Sequence, residues 1–105
     1  MTLSDRIAAL SEFSEKSLWE AFYELNVGDF RDGDIDYQRK WQEFGSLIGV
    51  GAWVDAALTL ASPALQAHTM AEALKLVFDG GFTVGKFTEA LAIAICVVAL
   101  REKGL

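Results

Sequence analysis

Apolar positions along the chain recur at steps of three and four, and no alternating run is long enough to make a strand. Leu3, Ile7, Leu10, Leu18, Phe22 and Leu25 form the first such series, with a gap at Ser14. Thr2 followed by Asp5 is a helix start, and Ser11-Glu12-Phe13-Ser14 marks a bend or a second start. Asn26-Val27-Gly28 closes the series, because Asn and Gly tolerate the left-handed backbone that ends a helix. A polar loop follows, and Asp34 or Asp36 caps the next helix.

That helix is expected from about Tyr37 towards Ala61. Trp41, Phe44, Ile48, Gly51, Asp55 and Leu58 share one stripe, while Leu47, Val50, Val54 and Ala57 fill another. A helix that is apolar on several sides belongs at the centre of a bundle. Ser62-Pro63 is a further start, with proline at the first helical position. Thr69-Met70-Ala71-Glu72 has the spacing of a capping box for a helix to about Phe78. Asp79-Gly80-Gly81 stops it. The last helix runs from Thr83 or Val84 to about Lys103, with Arg101 and Lys103 at its negative end. The pattern predicts an all-α protein, a compact bundle of four to five helices in one domain over residues 1–105.

Composition sharpens that picture. The chain is 52% hydrophobic, with a mean hydropathy of +0.27, which excludes disorder and is high for a small domain with much surface. Either some helices are buried on several sides, or apolar surface is reserved for a partner; a homodimer would satisfy both. Phe44–Val54 and Ala90–Leu100 are the longest apolar runs, and each is well short of the ~20 residues that cross a bilayer. The start of the chain lacks a basic region followed by an apolar one, and Cys96 is the single cysteine. Both fit a cytoplasmic protein with a buried, inert thiol.

Charge is unevenly placed. Nine acids and three bases lie at or before Asp36, whereas six of each follow, so the whole net charge of −6 sits in the first third. Such a surface repels nucleic acid and anionic membrane and favours a basic protein partner. Solubility alone also accounts for an acidic helix face. Trp19, Phe22, Tyr23, Phe30, Tyr37 and Trp41 cluster in and around this third. Those left exposed beside the acids, with Trp19, Tyr23, Asp29, Asp32 and Asp34 the leading candidates, form a protein-binding surface.

Candidate chemistry is sparse. Gly80, Gly85 and Lys86 have the spacing of a phosphate loop, but Phe87 stands where the magnesium-binding hydroxyl belongs, and no strand–loop–helix frame surrounds them. The stretch reads as a turn between two helices, with Phe87 the first core residue of the last. "GDFRDGDIDYQR" resembles a calcium loop when Gly33 is placed at the sharp turn. Gly28, Phe30 and Arg39 then occupy three of the required ligand positions, so turn and capping chemistry explains these residues better. No zinc site, cofactor or catalytic residue is expected from one His and one Cys. A His68–Glu72 pair one turn apart, with Asp55 nearby, is the remaining basis for a small-molecule or metal-assisted site. Asp55, set among apolar residues, is a candidate buried charge needing a partner.

Gly45, Gly49 and Gly51 carry a helical cost of about 1 kcal/mol each relative to alanine. Close approach of another helix would offset it, and the last helix offers a small face of Thr88, Ala92, Cys96 and Ala99. These faces are expected to touch, within the chain or across a dimer; the alternative is a helix break near Gly49–Gly51. "DAALTL" (Asp55–Leu60) with "EALAIAICVVALREK" (Glu89–Lys103) resembles phrases in small accessory proteins of bacteriophages and prophages. The β-rich middle of such proteins has no counterpart here, and the resemblance assigns no residue a role. It adds a phage-type inhibitor, an acidic mimic binding a basic protein, as a second reading beside the non-enzymatic, homo-oligomeric helical interaction protein.

Overall fold

The computed structural model describes residues 1–26, 35–80 and 85–105. They form six α-helices: α1 (Leu3–Ala8), α2 (Glu15–Asn26), α3 (Ile35–Gly49), α4 (Trp53–Leu58), α5 (Gln66–Asp79) and α6 (Phe87–Glu102). A 3-10 turn at Pro63–Leu65 leads into α5, and no strand occurs among the described residues. The protein is all-α, as its periodicity predicts. Asp29, Asp32 and Asp34 lie outside the described residues, as does the calcium-like stretch up to Asp34; the remainder of it opens α3.

The first long series divides where its serines fall. Thr2 Oγ1 accepts from Asp5 N–H at 3.2 Å, and Asp5 Oδ2 accepts from Thr2 N–H at 3.4 Å, closing a reciprocal cap on α1. The bonds from Thr2 hold the Asp5 carboxyl below its usual pKa, helped by Arg101, whose guanidinium lies 4.0 Å away. Phe13, in the link to α2, sets its ring 5.0 Å from that of Trp53. This joins the link to α4.

The centre of the molecule is α6, not the helix expected from Tyr37 to Ala61. Every residue from Ala90 to Leu100 is buried, so three turns of α6 have no solvent face. α4 and α5 lie most closely along it, with α1 and α2 against the remainder. Small residues allow this crowding. Ala92, Ala94 and Cys96 on α6 are completely buried, as are Ala21, Ala56, Ala57 and Ala73 on its neighbours. A side chain of methyl size lets helix axes approach and still fills the space between them. Most of the apolar excess is consumed here, inside the chain.

The expected 37–61 helix is two helices, with a break after Gly49. Gly51 N–H donates to the Ile48 carbonyl at 3.0 Å, and Ala52 N–H donates to Leu47 at 2.9 Å. This pair of bonds, with Gly51 at φ +75°, is the Schellman arrangement that satisfies the last carbonyls of a helix. The chain then restarts at Trp53 in a new direction. Val50, expected on an apolar stripe, is exposed at this corner.

Two further boundaries depart from the sequence reading. α5 begins at Gln66 rather than after Thr69, so Thr69 is inside the helix and Glu72 does not cap it. Thr69 is fully buried, and its hydroxyl donates to Glu102 Oε1 at 3.3 Å, tying α5 to the end of α6. α6 begins at Phe87, not Thr83 or Val84; Gly85 has φ +71° and cannot continue an α-helix. Phe87 is not a core residue but is 51% exposed, its ring 5.8 Å from that of exposed Phe78.

Candidate functional site

α2 and α3 meet through a layer of rings. On α2, Trp19 and Tyr23 are one turn apart and stack with centroids 5.9 Å apart. On α3, Tyr37, Trp41, Phe44 and Ile48 recur at four- and three-residue steps. Trp19 joins the two series, edge-on to Phe44 at 4.8 Å and tilted against Trp41 at 6.2 Å. Phe22 stacks on Phe44 at 4.8 Å and lies 5.9 Å from Tyr37. Such ring pairs contribute about 0.5–1.5 kcal/mol each beyond simple burial, so the layer holds its geometry.

Gly45 faces this layer. A Cβ there would sit 3.5 Å from Trp19 Cη2, whereas one at Gly49 would meet nothing within 4 Å. The glycines therefore do not face α6, in correction of the expected contact. Ala92 and Cys96 are completely buried, so no second copy can reach them either. Gly45 seats an indole, Gly49 is open to solvent and Gly51 ends the helix.

The ring layer is buried at one edge and open at the other. Phe22 and Phe44 are in the core, while Tyr23 is 50% and Trp41 46% exposed. Between them a cleft of about 270 Å³ is lined by Tyr23, Tyr37, Gln38 and Trp41. Burial and the nearby Tyr23 push the Tyr37 phenol above its ordinary pKa. Trp19 and Tyr23, named from the sequence, are thus brought together with Trp41. Gln38 is not among the candidate site residues; it stands one turn before Trp41, and position i−3 from an exposed ring is the signal that points to it.

A larger groove, about 680 Å³, runs between α2, α3, the 58–66 link and the end of α6. Its volume lies within the range of small-molecule sites, but three of its polar side chains are turned back on the chain. Asn26 Nδ2 donates to the Phe22 carbonyl at 2.8 Å, Thr59 Oγ1 to Ala56 at 2.6 Å, and Gln66 Nε2 to Leu58 at 3.0 Å. These bonds secure helix ends and the link rather than converge on a ligand.

The other candidate residues do not assemble. Asp55 is exposed in the first turn of α4, where the helix dipole favours a carboxylate; it is not a buried charge. Glu72 pairs with Lys75 at 3.5 Å, and His68 Nε2 is 4.0 Å from Glu102 Oε1 rather than beside Glu72. None of Asp55, His68 and Glu72 lines the groove or the cleft. Among the described residues no three His, Cys, Asp or Glu side chains are placed to hold a metal, and no helix is long and apolar enough to cross a membrane.

At Gly80–Phe87 the described part speaks against phosphate. The Glu89 carboxylate accepts from Lys86 N–H at 2.9 Å, and a Cβ on Gly85 would come within 2.7 Å of the same oxygen. The N-terminus of α6 already holds its anion, supplied by its own side chain. The chain matches no protein-family model, no curated protein and no solved structure.

Proposed function

We propose that this is a non-enzymatic helical interaction protein that binds another protein through the open edge of the α2–α3 ring layer. The observation that carries the reading is the half-exposure of Tyr23 and Trp41 on a ring layer anchored in the core by Phe22 and Phe44. Large aromatic side chains that are ordered before binding lose little entropy when a partner covers them, and they anchor protein interfaces more often than other residues do. The exposed carboxylates of Glu15 and Glu24 on α2 frame this edge with negative charge. Both a second copy of the chain and a basic protein fit a face of this kind.

A photo-crosslinking residue placed at Gln38 tests the reading, with one at Ala67, exposed on α5, as the control. The expected result is crosslinking to a protein, either this chain or another, from position 38 and not from position 67. Equal yields from the two positions, or none from position 38, would rule it out.

A further inference from the structure

We infer that the Tyr23–Tyr37–Trp41 cleft is a seat for an arginine side chain on a basic segment of the partner; this rests on the interaction reading above and names the chemistry of its contact.

The cleft is walled by three ring systems and one amide. Its ~270 Å³ falls below the range typical of organic ligands and suits one inserted side chain. Aromatic faces carry negative charge above the ring plane and attract a cation placed over them, tryptophan most strongly. Arginine fits better than lysine. Its guanidinium is planar, is less strongly hydrated than an ammonium and stacks on rings, while its N–H groups remain free to donate at the edge. The Gln38 amide oxygen is an acceptor at that edge.

Charge around the cleft has the matching sign. On α2, Glu20 and Glu24 bracket Tyr23 in sequence, and Glu15 lies one turn before Trp19, against the single base Lys16. On α3, Arg39 and Lys40 are about 160° and 100° from Trp41 around the helix, with Lys40 about 60° from Tyr37; Lys40 also lines the larger groove. The helix that carries Trp19 and Tyr23 thus presents three carboxylates against one base to an approaching cation. An anionic or nucleic-acid occupant is disfavoured by the same arrangement.

The probe is a blocked peptide of six Ala-Arg repeats, compared with its citrulline analogue, which keeps the shape and removes the charge. Binding is followed by the indole N–H resonances of Trp19, Trp41 and Trp53. The arginine peptide should shift the Trp41 resonance saturably and leave Trp53 unmoved; the citrulline peptide should shift neither. Trp41→Leu should weaken binding roughly tenfold, and Trp41→Phe by less, because a ring remains. Glu24→Gln should flatten the salt dependence while leaving the Trp41 shift in place. Helical circular dichroism identifies any variant that fails to fold, and Trp41→Phe keeps the test decisive if Trp41→Leu does.

Equal affinity for the citrulline peptide, or an unchanged Trp41 resonance up to millimolar arginine peptide, overturns the inference. So does a wild-type dimer in sedimentation that Trp41→Leu dissolves, since a second copy would then fill the cleft. In each of these cases crosslinking from position 38 still decides the broader interaction reading by itself.

Discussion

Alanine at Gly49 and at Gly51 should move stability in opposite directions, although the two sites are two residues apart. Gly51 sits at φ +75°, where a side chain costs roughly 1–2 kcal/mol. Its Cβ would lie 3.9 Å from Trp53 Cζ2, so no clash adds to that figure. Removing a glycine also stiffens the unfolded chain, which returns about 0.4–1 kcal/mol, leaving Gly51→Ala destabilised by about 1 kcal/mol. Gly49 has helical backbone, and a Cβ there meets nothing. Alanine at that position should stabilise by about 0.5–1 kcal/mol.

The two variants should thus differ by about 1.5–2 kcal/mol. Unfolding entropy of ~2.1 cal/mol/K per residue gives about 4–5 °C per kcal/mol for a chain of this size, so their melting temperatures should be separated by about 7–9 °C. Thermal and urea unfolding followed at 222 nm measures both, with coincident transitions as the check on two-state behaviour. Gly51→Asn should fall between Gly51→Ala and wild type, because Asn tolerates the left-handed region. If Gly51→Ala melts at or above wild type, the helix runs on through Gly51 and there is no break between α3 and α4.

Other outcomes follow from the core and from the ion pairs around it. Ala92→Leu adds three carbons to a site with no exposure and should cost about 1–3 kcal/mol in urea unfolding; a neutral result would mean that α6 is not enclosed. Burial pushes the Cys96 thiol up to about 12, so native protein at pH 8 should react with a thiol reagent only through unfolding. Between pH 9 and 12 the unfolded chain releases the Cys96 proton and the folded chain keeps it. Folding is therefore weakened as pH rises, and the penalty of Cys96→Ala should shrink by about 1.4 kcal/mol from pH 8 to pH 10. Thr69→Val removes a buried hydroxyl that donates to Glu102 and should cost about 1–2 kcal/mol, with Glu102→Gln smaller because that carboxylate is partly solvated.

What the sequence reveals depends on how locally each feature is specified. Thr2 with Asp5 is a four-residue device, and the cap appears where the spacing puts it. The Ala90–Leu100 run is legible as core because no eleven-residue apolar stretch survives in water as a helix face. Which of two apolar helices is central is not local. The 37–61 segment looks apolar on several sides only if it is continuous, and the left-handed turn at Gly51 redirects half of it. Thr69–Glu72 carries the letters of a cap, but Pro63 starts a turn that reaches α5 earlier, leaving Thr69 to find Glu102, 33 residues away. Phe87 misleads for a related reason: periodicity places it beside the core, yet its position as the first residue of α6 lifts it to the rim.

The enclosure of α6 also changes what supports an interaction role. Read from composition, the apolar surplus asks for a partner, because a chain of 105 residues has too little interior to hide it. In the structure α6 absorbs eleven consecutive apolar residues within one chain, so the surplus no longer requires a second copy. The glycine face, the other motive for a dimer, resolves into one indole seat, one open position and one helix stop. What remains is smaller and more specific: the exposed Phe78–Phe87 pair, and the half-exposed Tyr23 and Trp41 with a cleft beside them. The case for a partner therefore rests on the exposure of Tyr23 and Trp41 beside a cleft, not on how apolar the chain is.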